Sequence, residues 1–117
     1  MRKITFAIVY DNFKKAFLLV HTPESGWNFP YNIVQCERFP QDDAMKAVFE
    51  QTSVRCKINC DTKKVVCYKN VMAIYYEANS LYGVANPASP EIDEVRYCTK
   101  EEALNLLPPE AIPPQWK

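Results

Sequence analysis

At 117 residues the chain has the length of a single domain spanning 1–117, and enough bulk to bury a core without disulfide or metal staples. Hydrophobic residues make up 48% of it, including seven Tyr, six Phe and two Trp, which excludes a disordered chain. Its 14 basic residues balance 14 acidic ones, so it lacks the positive field that long nucleic acid or an anionic membrane requires; low net charge favours self-association, as in a homodimer.

Lys3–Tyr10, KITFAIVY, is dense in β-formers, and Ala16–His21, AFLLVH, repeats the pattern after a turn carrying Lys14 and Lys15. Both runs are nearly unbroken in apolar residues, as in strands buried on two faces. The first run stops at Asp11 with no small-residue cleavage site, so it reads as a strand and not as a signal peptide. No apolar stretch approaches the roughly 20 residues of a membrane span. Thr22–Gly26 has loop chemistry.

Pro40 marks a helix start, since a proline in the first turn forfeits no intrahelical bond. Asp42 and Asp43 suit the positive end of the helix dipole. Ala44, Met45, Val48 and Phe49 form one apolar face, and the helix is expected to end near Thr52. Val54–Asn59 and Lys64–Glu77 read as paired strands, with Asp61-Thr62-Lys63 as the turn between them. A proline-containing loop, Asn86–Pro90, leads to a short strand at Val95–Cys98. Thr99 and Glu102 have capping-box spacing, which opens a helix over Glu101–Leu107. From about Pro108 the proline-rich tail PPEAIPPQWK is expected to lack regular structure.

Cys36, Cys56, Cys60, Cys67 and Cys98 make an odd count with no secretory leader, pointing to free thiols in a reducing cytoplasm. Their spacing matches no standard zinc pattern, and the lone His21 is remote from them in sequence. Small hydrophobes buried in strands are the expected role.

The chemistry concentrates in Trp27–Val54, WNFPYNIVQCERFPQDDAMKAVFEQTSV. This segment resembles the Nudix box, G-x5-E-x7-R-E-U-x-E-E-x-G-U with U a bulky aliphatic, set without a gap on Asn32 to Val54. Trp27, Phe29 and Pro30 match the entry that usually precedes the box, with Tyr31 and Asn32 in place of its glycines. Val48, Glu50 and Val54 match the box, and Lys46 replaces its arginine. Arg38, Ala47 and Gln51 stand where glutamates belong, and Ser53 stands for the closing glycine. The resemblance covers about residues 3 to 112 and implies an α/β (α+β) fold, an αβα sandwich around a mixed sheet.

The resemblance also implies a metal-assisted cleavage of a nucleoside diphosphate linked to another moiety, with Mg²⁺ or Mn²⁺ held by carboxylates. Glu50 is the surviving acid of the box and the candidate catalytic residue and metal ligand. Glu37 is the candidate second ligand, substituting for the position Arg38 occupies. Glu91, Asp93 and Glu94 are a further source of acids, because relatives often supply a ligand or base from a loop beyond the box. Each has an ordinary reading beside it: Asp42, Lys46 and Glu50 fall at i, i+4, i+8, as on a salt-bridged solvent face, and 91–94 reads equally as an acidic loop. Tyr75, Tyr76 and Tyr82 suit base stacking or core packing, and Trp27 suits a core or edge anchor. Two functions follow from these substitutions. One is a Nudix-fold protein lacking or impaired in hydrolysis, with a cleft for a nucleotide-like ligand; the other is an atypical active hydrolase recruiting Glu50 with Glu37 or with the 91–94 loop.

Overall fold

The computed structural model describes residues 2–34 and 39–117. Its seven strands are β1 (Arg2–Asp11), β2 (Ala16–Thr22), β3 (Gly26–Asn28), β4 (Tyr31–Ile33), β5 (Arg55–Tyr68), β6 (Val71–Tyr82) and β7 (Glu94–Cys98). Two α-helices, α1 (Pro40–Thr52) and α2 (Lys100–Leu106), and two 3-10 turns, Pro109–Ala111 and Pro114–Trp116, complete the described elements.

The strands form one mixed sheet in the order β3-β2-β1-β6-β5, with β4 beside β1 and β7 beside β2. β1 and β6 run parallel from Arg2↔Val71 to Tyr10↔Asn79, and the other pairs are antiparallel. β1 changes partner along one edge. β2 holds it only at Tyr10 and Asp11, whereas β4 takes Ile4–Phe6. Between them the Ala7 N–H donates to the Pro30 carbonyl at 3.0 Å. This handover brings the start of the box segment onto the sheet beside the end of α1.

Alternation along β1 explains its unbroken apolar run. Ala7 and Val9 face the layer of α1, joined by Leu18, Ile74, Tyr76 and Ala78 under Ala44 and Val48. Phe6 and Ile8 face the opposite layer, with Leu19, Phe29, Tyr75 and Cys98 under Ala103 and Leu107. A central strand buried on both faces has no polar side to show. The result is the expected αβα sandwich.

The hairpin of β5 and β6 corrects the expected turn at Asp61-Thr62-Lys63. The chain reverses at Lys69-Asn70, and β5 runs on through 61–63 as a bulge, where the register jumps between Asn59↔Glu77 and Lys64↔Tyr75. The polar residues there do what turn residues do, but within the strand. The Thr62 hydroxyl donates to the Asn59 carbonyl at 2.6 Å and accepts from the Glu77 N–H at 2.8 Å, replacing a lost ladder bond. The short strands β3 and β4 were also not expected from the sequence.

The tail corrects a second expectation. Proline pre-sets φ for tight turns, and Pro109 and Pro114 each stand in the first turn of a 3-10 helix. Ala111 is buried, and Trp116 meets Phe17 at 4.9 Å and Phe29 at 5.4 Å, both edge-on. The cysteines divide: Cys56 and Cys98 are buried as expected, but Cys60 and Cys67 are exposed free thiols, because β5 is largely exposed from Asn59 onward. Burial pushes the Cys56 thiol up to about 11. Cys36 lies outside the described residues.

Candidate functional site

α1 delivers the box residues. It begins at Pro40 and closes with Ser53 in the left-handed region at φ 65, its N–H donating to the Phe49 carbonyl at 2.9 Å. This is the position of the box glycine, and the conformation explains why glycine belongs there. Gly83 packs against the same corner. It has φ 115, and a Cβ on it would lie 2.7 Å from the Ser53 carbonyl oxygen, so only glycine fits. Ser53→Gly is expected to stabilise the fold by about 0.5–1 kcal/mol, the relief of left-handed strain less the extra freedom of glycine in the unfolded chain. Urea denaturation checks it; a loss of stability would show that the serine hydroxyl outweighs its backbone strain.

Past this corner the backbone hangs a loop over the end of the helix. The Asn86 N–H donates to the Thr52 carbonyl and the Ala88 N–H to the Gln51 carbonyl, each at 3.1 Å. The far end of the loop is tied to β2. The Asp93 N–H donates to the His21 carbonyl at 3.0 Å, and the Asp93 carboxylate meets the His21 ring Nδ1 at 2.6 Å. Between helix and loop lies a cleft of about 480 Å³, lined among others by Asn32, Ala47, Phe49, Glu50, Gln51 and Glu91. Its size is that of a small-molecule site.

Glu50 therefore lines a cleft, yet it also pairs with Lys46 at 3.7 Å on a half-exposed helix face, as the i, i+4 spacing predicts. Glu91 joins it from the loop. The Ser89 hydroxyl and the Glu91 N–H hydrogen-bond to its carboxylate and hold it below the usual carboxylate range, so Glu91 is ionised at neutral pH. Asp93 lines a smaller neighbouring cleft of about 300 Å³ with Glu24, Tyr31 and the shared Glu91. Glu94 instead pairs with Arg96 at 2.8 Å. Glu37 and Arg38 lie outside the described residues.

Gln51 has the role that sequence reasoning missed. Its side chain is nearly buried, and its amide clips onto the backbone of β4. Nε2 donates to the Tyr31 carbonyl at 2.9 Å, and Oε1 accepts from the Tyr31 N–H at 3.3 Å. A carboxylate has no donor for the first bond. The residue standing in a glutamate position thus serves as a neutral clamp between helix and sheet. Nothing local announces this, since the partner lies 20 residues away.

Among the described residues the remaining donors are few. Ala47 contributes a methyl group, and the Gln51 amide is occupied. Among the described residues no group of three His, Cys, Asp or Glu side chains is placed to hold an ion. Hard divalent cations need several oxygen ligands, and among the described residues Glu50 and Glu91 are the carboxylates that line the cleft beside α1.

The aromatic candidates separate. Tyr75 and Tyr76 are buried, Tyr75 stacked on Phe6 at 4.6 Å, so they are packing residues. Tyr82 is 69% exposed. Trp27 is an anchor, edge-on to His21 at 5.0 Å with the Arg96 guanidinium 5.1 Å from its ring. Phe49 was read as part of an apolar helix face, but it lines the cleft and carries the Arg55 guanidinium 3.7 Å from its ring centroid.

No protein-family model matches the chain, and no curated protein matches it. Solved structures do. A Caenorhabditis elegans Ap4A hydrolase, solved as a binary complex, superposes with a TM-score of 0.78 at 18% identity over 91% of this chain and 85% of the other. A Nudix hydrolase from Nitrosomonas europaea gives 0.78 at 18% identity over 95% of this chain and 63% of its own. The Nudix domain of Shewanella oneidensis NrtR, complexed with ADP ribose, gives 0.72 at 14% identity over 93% and 80%. At such identities the likeness shows the fold alone, and that fold is the Nudix αβα sandwich.

Proposed function

We propose that this Nudix-fold chain is a binding protein lacking, or strongly impaired in, metal-dependent pyrophosphohydrolysis, and that the cleft between α1 and the 88–91 loop takes a nucleotide-like ligand. The Gln51 clamp carries the reading. A position that must present a carboxylate to metal instead spends a neutral amide on the Tyr31 backbone. Ala47 beside it supplies no ligand atom, and Lys46 shares the charge of Glu50.

The nucleotide part rests on the bound states of structures with this fold, one of them holding ADP ribose. A cleft of suitable size with amide, hydroxyl and aromatic groups supports it. The free thiols Cys56, Cys60, Cys67 and Cys98 support a cytoplasmic setting. No described helix is long and apolar enough to cross a membrane. A homodimer rests on the neutral net charge alone.

A second reading has one observation in its favour. Glu50 and the ionised Glu91 line the same cleft, so the two could share a Mg²⁺ or Mn²⁺ ion brought by a pyrophosphate substrate, with Glu50 as the catalytic acid. One assay separates the two. ADP ribose and diadenosine tetraphosphate are incubated with the chain and either cation, and binding is followed by calorimetry. Ligand binding without turnover, unchanged by Glu50→Gln, is the expected result. Metal-dependent turnover that Glu50→Gln abolishes would establish the second reading.

A further inference from the structure

β5 closes one side of the sheet, and no described strand pairs with its outer edge. Unpaired edges are templates for another chain, and folds commonly blunt them with bulges, charges or a covering segment. The first part of β5 is blunted in this way. Residues 60–63 bulge there. The last part is not. Lys64–Tyr68 pairs regularly with Val71–Tyr75, while Val65, Val66 and Tyr68 remain 44%, 41% and 70% exposed.

A groove of about 620 Å³ runs beside this open stretch, lined by Val66, Tyr68, Val71, Ala73, Ile112 and Pro114. Register places the four strand residues on one face, since Val66 pairs with Ala73 and Tyr68 with Val71. Lys69 and Lys117 border the groove against a single acid, Glu110. The charge continues along the strand. Arg55, Lys57, Lys63, Lys64 and Lys69 are all exposed, with Asp61 the one acid between them. In a chain of zero net charge this is a marked segregation.

We infer that the Lys64–Tyr68 edge and its groove dock an extended acidic peptide segment of a partner protein by strand addition. Main-chain hydrogen bonds to the open edge supply affinity, the groove takes alternate apolar side chains, and the lysines select acidic residues between them. A second copy of this chain is the poorer occupant, because Lys63, Lys64 and Lys69 would meet their own kind across the new pair. Single-stranded nucleic acid would use the charge but leave the edge's backbone groups unpaired.

The test uses a fluorescein-labelled peptide of alternating glutamate and valine, its lysine–valine counterpart and labelled oligothymidylate, read by anisotropy. Backbone amide exchange is followed over 64–68. The acidic peptide is expected to bind at least about tenfold more tightly than the basic one, the gap weakening with salt. It should protect the free-edge amides of 64–68. The triple variant Lys63→Glu, Lys64→Glu, Lys69→Glu should lose about tenfold or more in affinity with its unfolding midpoint kept. Tyr68→Ala, a single surface change, should weaken binding independently of the charge reversal. Equal affinity for both peptides, tighter binding of oligothymidylate, or a dimer whose 64–68 amides are protected without peptide would overturn the inference.

Discussion

Exchanging Gln51 for glutamate is expected to destabilise the fold by about 3 kcal/mol at neutral pH and to bring no metal-dependent turnover. By family pattern the substitution is a repair, because it returns an acid to the box. In this chain the side chain is clamped to Tyr31 through both amide atoms. A carboxylate keeps the bond from the Tyr31 N–H but sets a charged oxygen against the Tyr31 carbonyl, which loses its donor. The pH dependence follows. Burial and the facing carbonyl raise the folded-state pKa of the new acid above its unfolded value of about 4.3. The penalty is therefore full above the folded pKa and shrinks as pH falls toward the unfolded value, where the protonated acid can again donate to Tyr31. Denaturant titrations of both proteins at pH 8 and pH 5 check this. A variant as stable as the parent at pH 8 would show that the clamp contributes nothing, and turnover gained by this single change would show that Gln51 alone keeps the cleft from hydrolysis.

That contrast shows which parts of the molecule the sequence discloses. Pro40, the spacing of Ala44 and Val48, and the Thr99–Glu102 box set their helices because each signal and its partner lie within one turn; the capping box forms with both of its bonds. The doubly buried β1 and β2 were legible from unbroken apolar runs. Residues 61–63 were misread because a bulge and a turn use the same side-chain-to-backbone bonds. What distinguishes them here is the Glu77 N–H and Gln115, 15 and 53 residues from Thr62. The site divides along the same line. Glu50 and its Lys46 partner were visible at i, i+4, and the loop acids were visible as a cluster. The placing of Glu91 opposite Glu50 depends on loop bonds to Thr52, Gln51 and His21, and the Gln51 clamp on Tyr31. Those are tertiary contacts that no local pattern encodes.

The tail is the largest departure from expectation, and it supplies the other large effect. Trp116→Ala is expected to cost about 3 kcal/mol and to lower the melting temperature by roughly 10 °C for a domain of this size. The indole lies edge-on to Phe17 and Phe29, with the Lys100 ammonium 5.2 Å from its ring. Phe29 is fully buried, so truncation opens a void over a core residue and does not merely expose a surface. The neighbouring Gln115 should then loosen from the Thr62 and Tyr75 carbonyls, leaving the bulge without its cross-brace. The measurement is thermal and urea unfolding followed by near-ultraviolet circular dichroism, with amide exchange at Thr62 and Glu77 as a local readout. A loss below about 1 kcal/mol, the range of an ordinary surface change, would mean that residues 108–117 rest on the sheet without holding it. A loss near the expected size, with faster exchange at Glu77, makes the proline-rich segment a structural layer: its prolines shape two turns that deliver one tryptophan to the core.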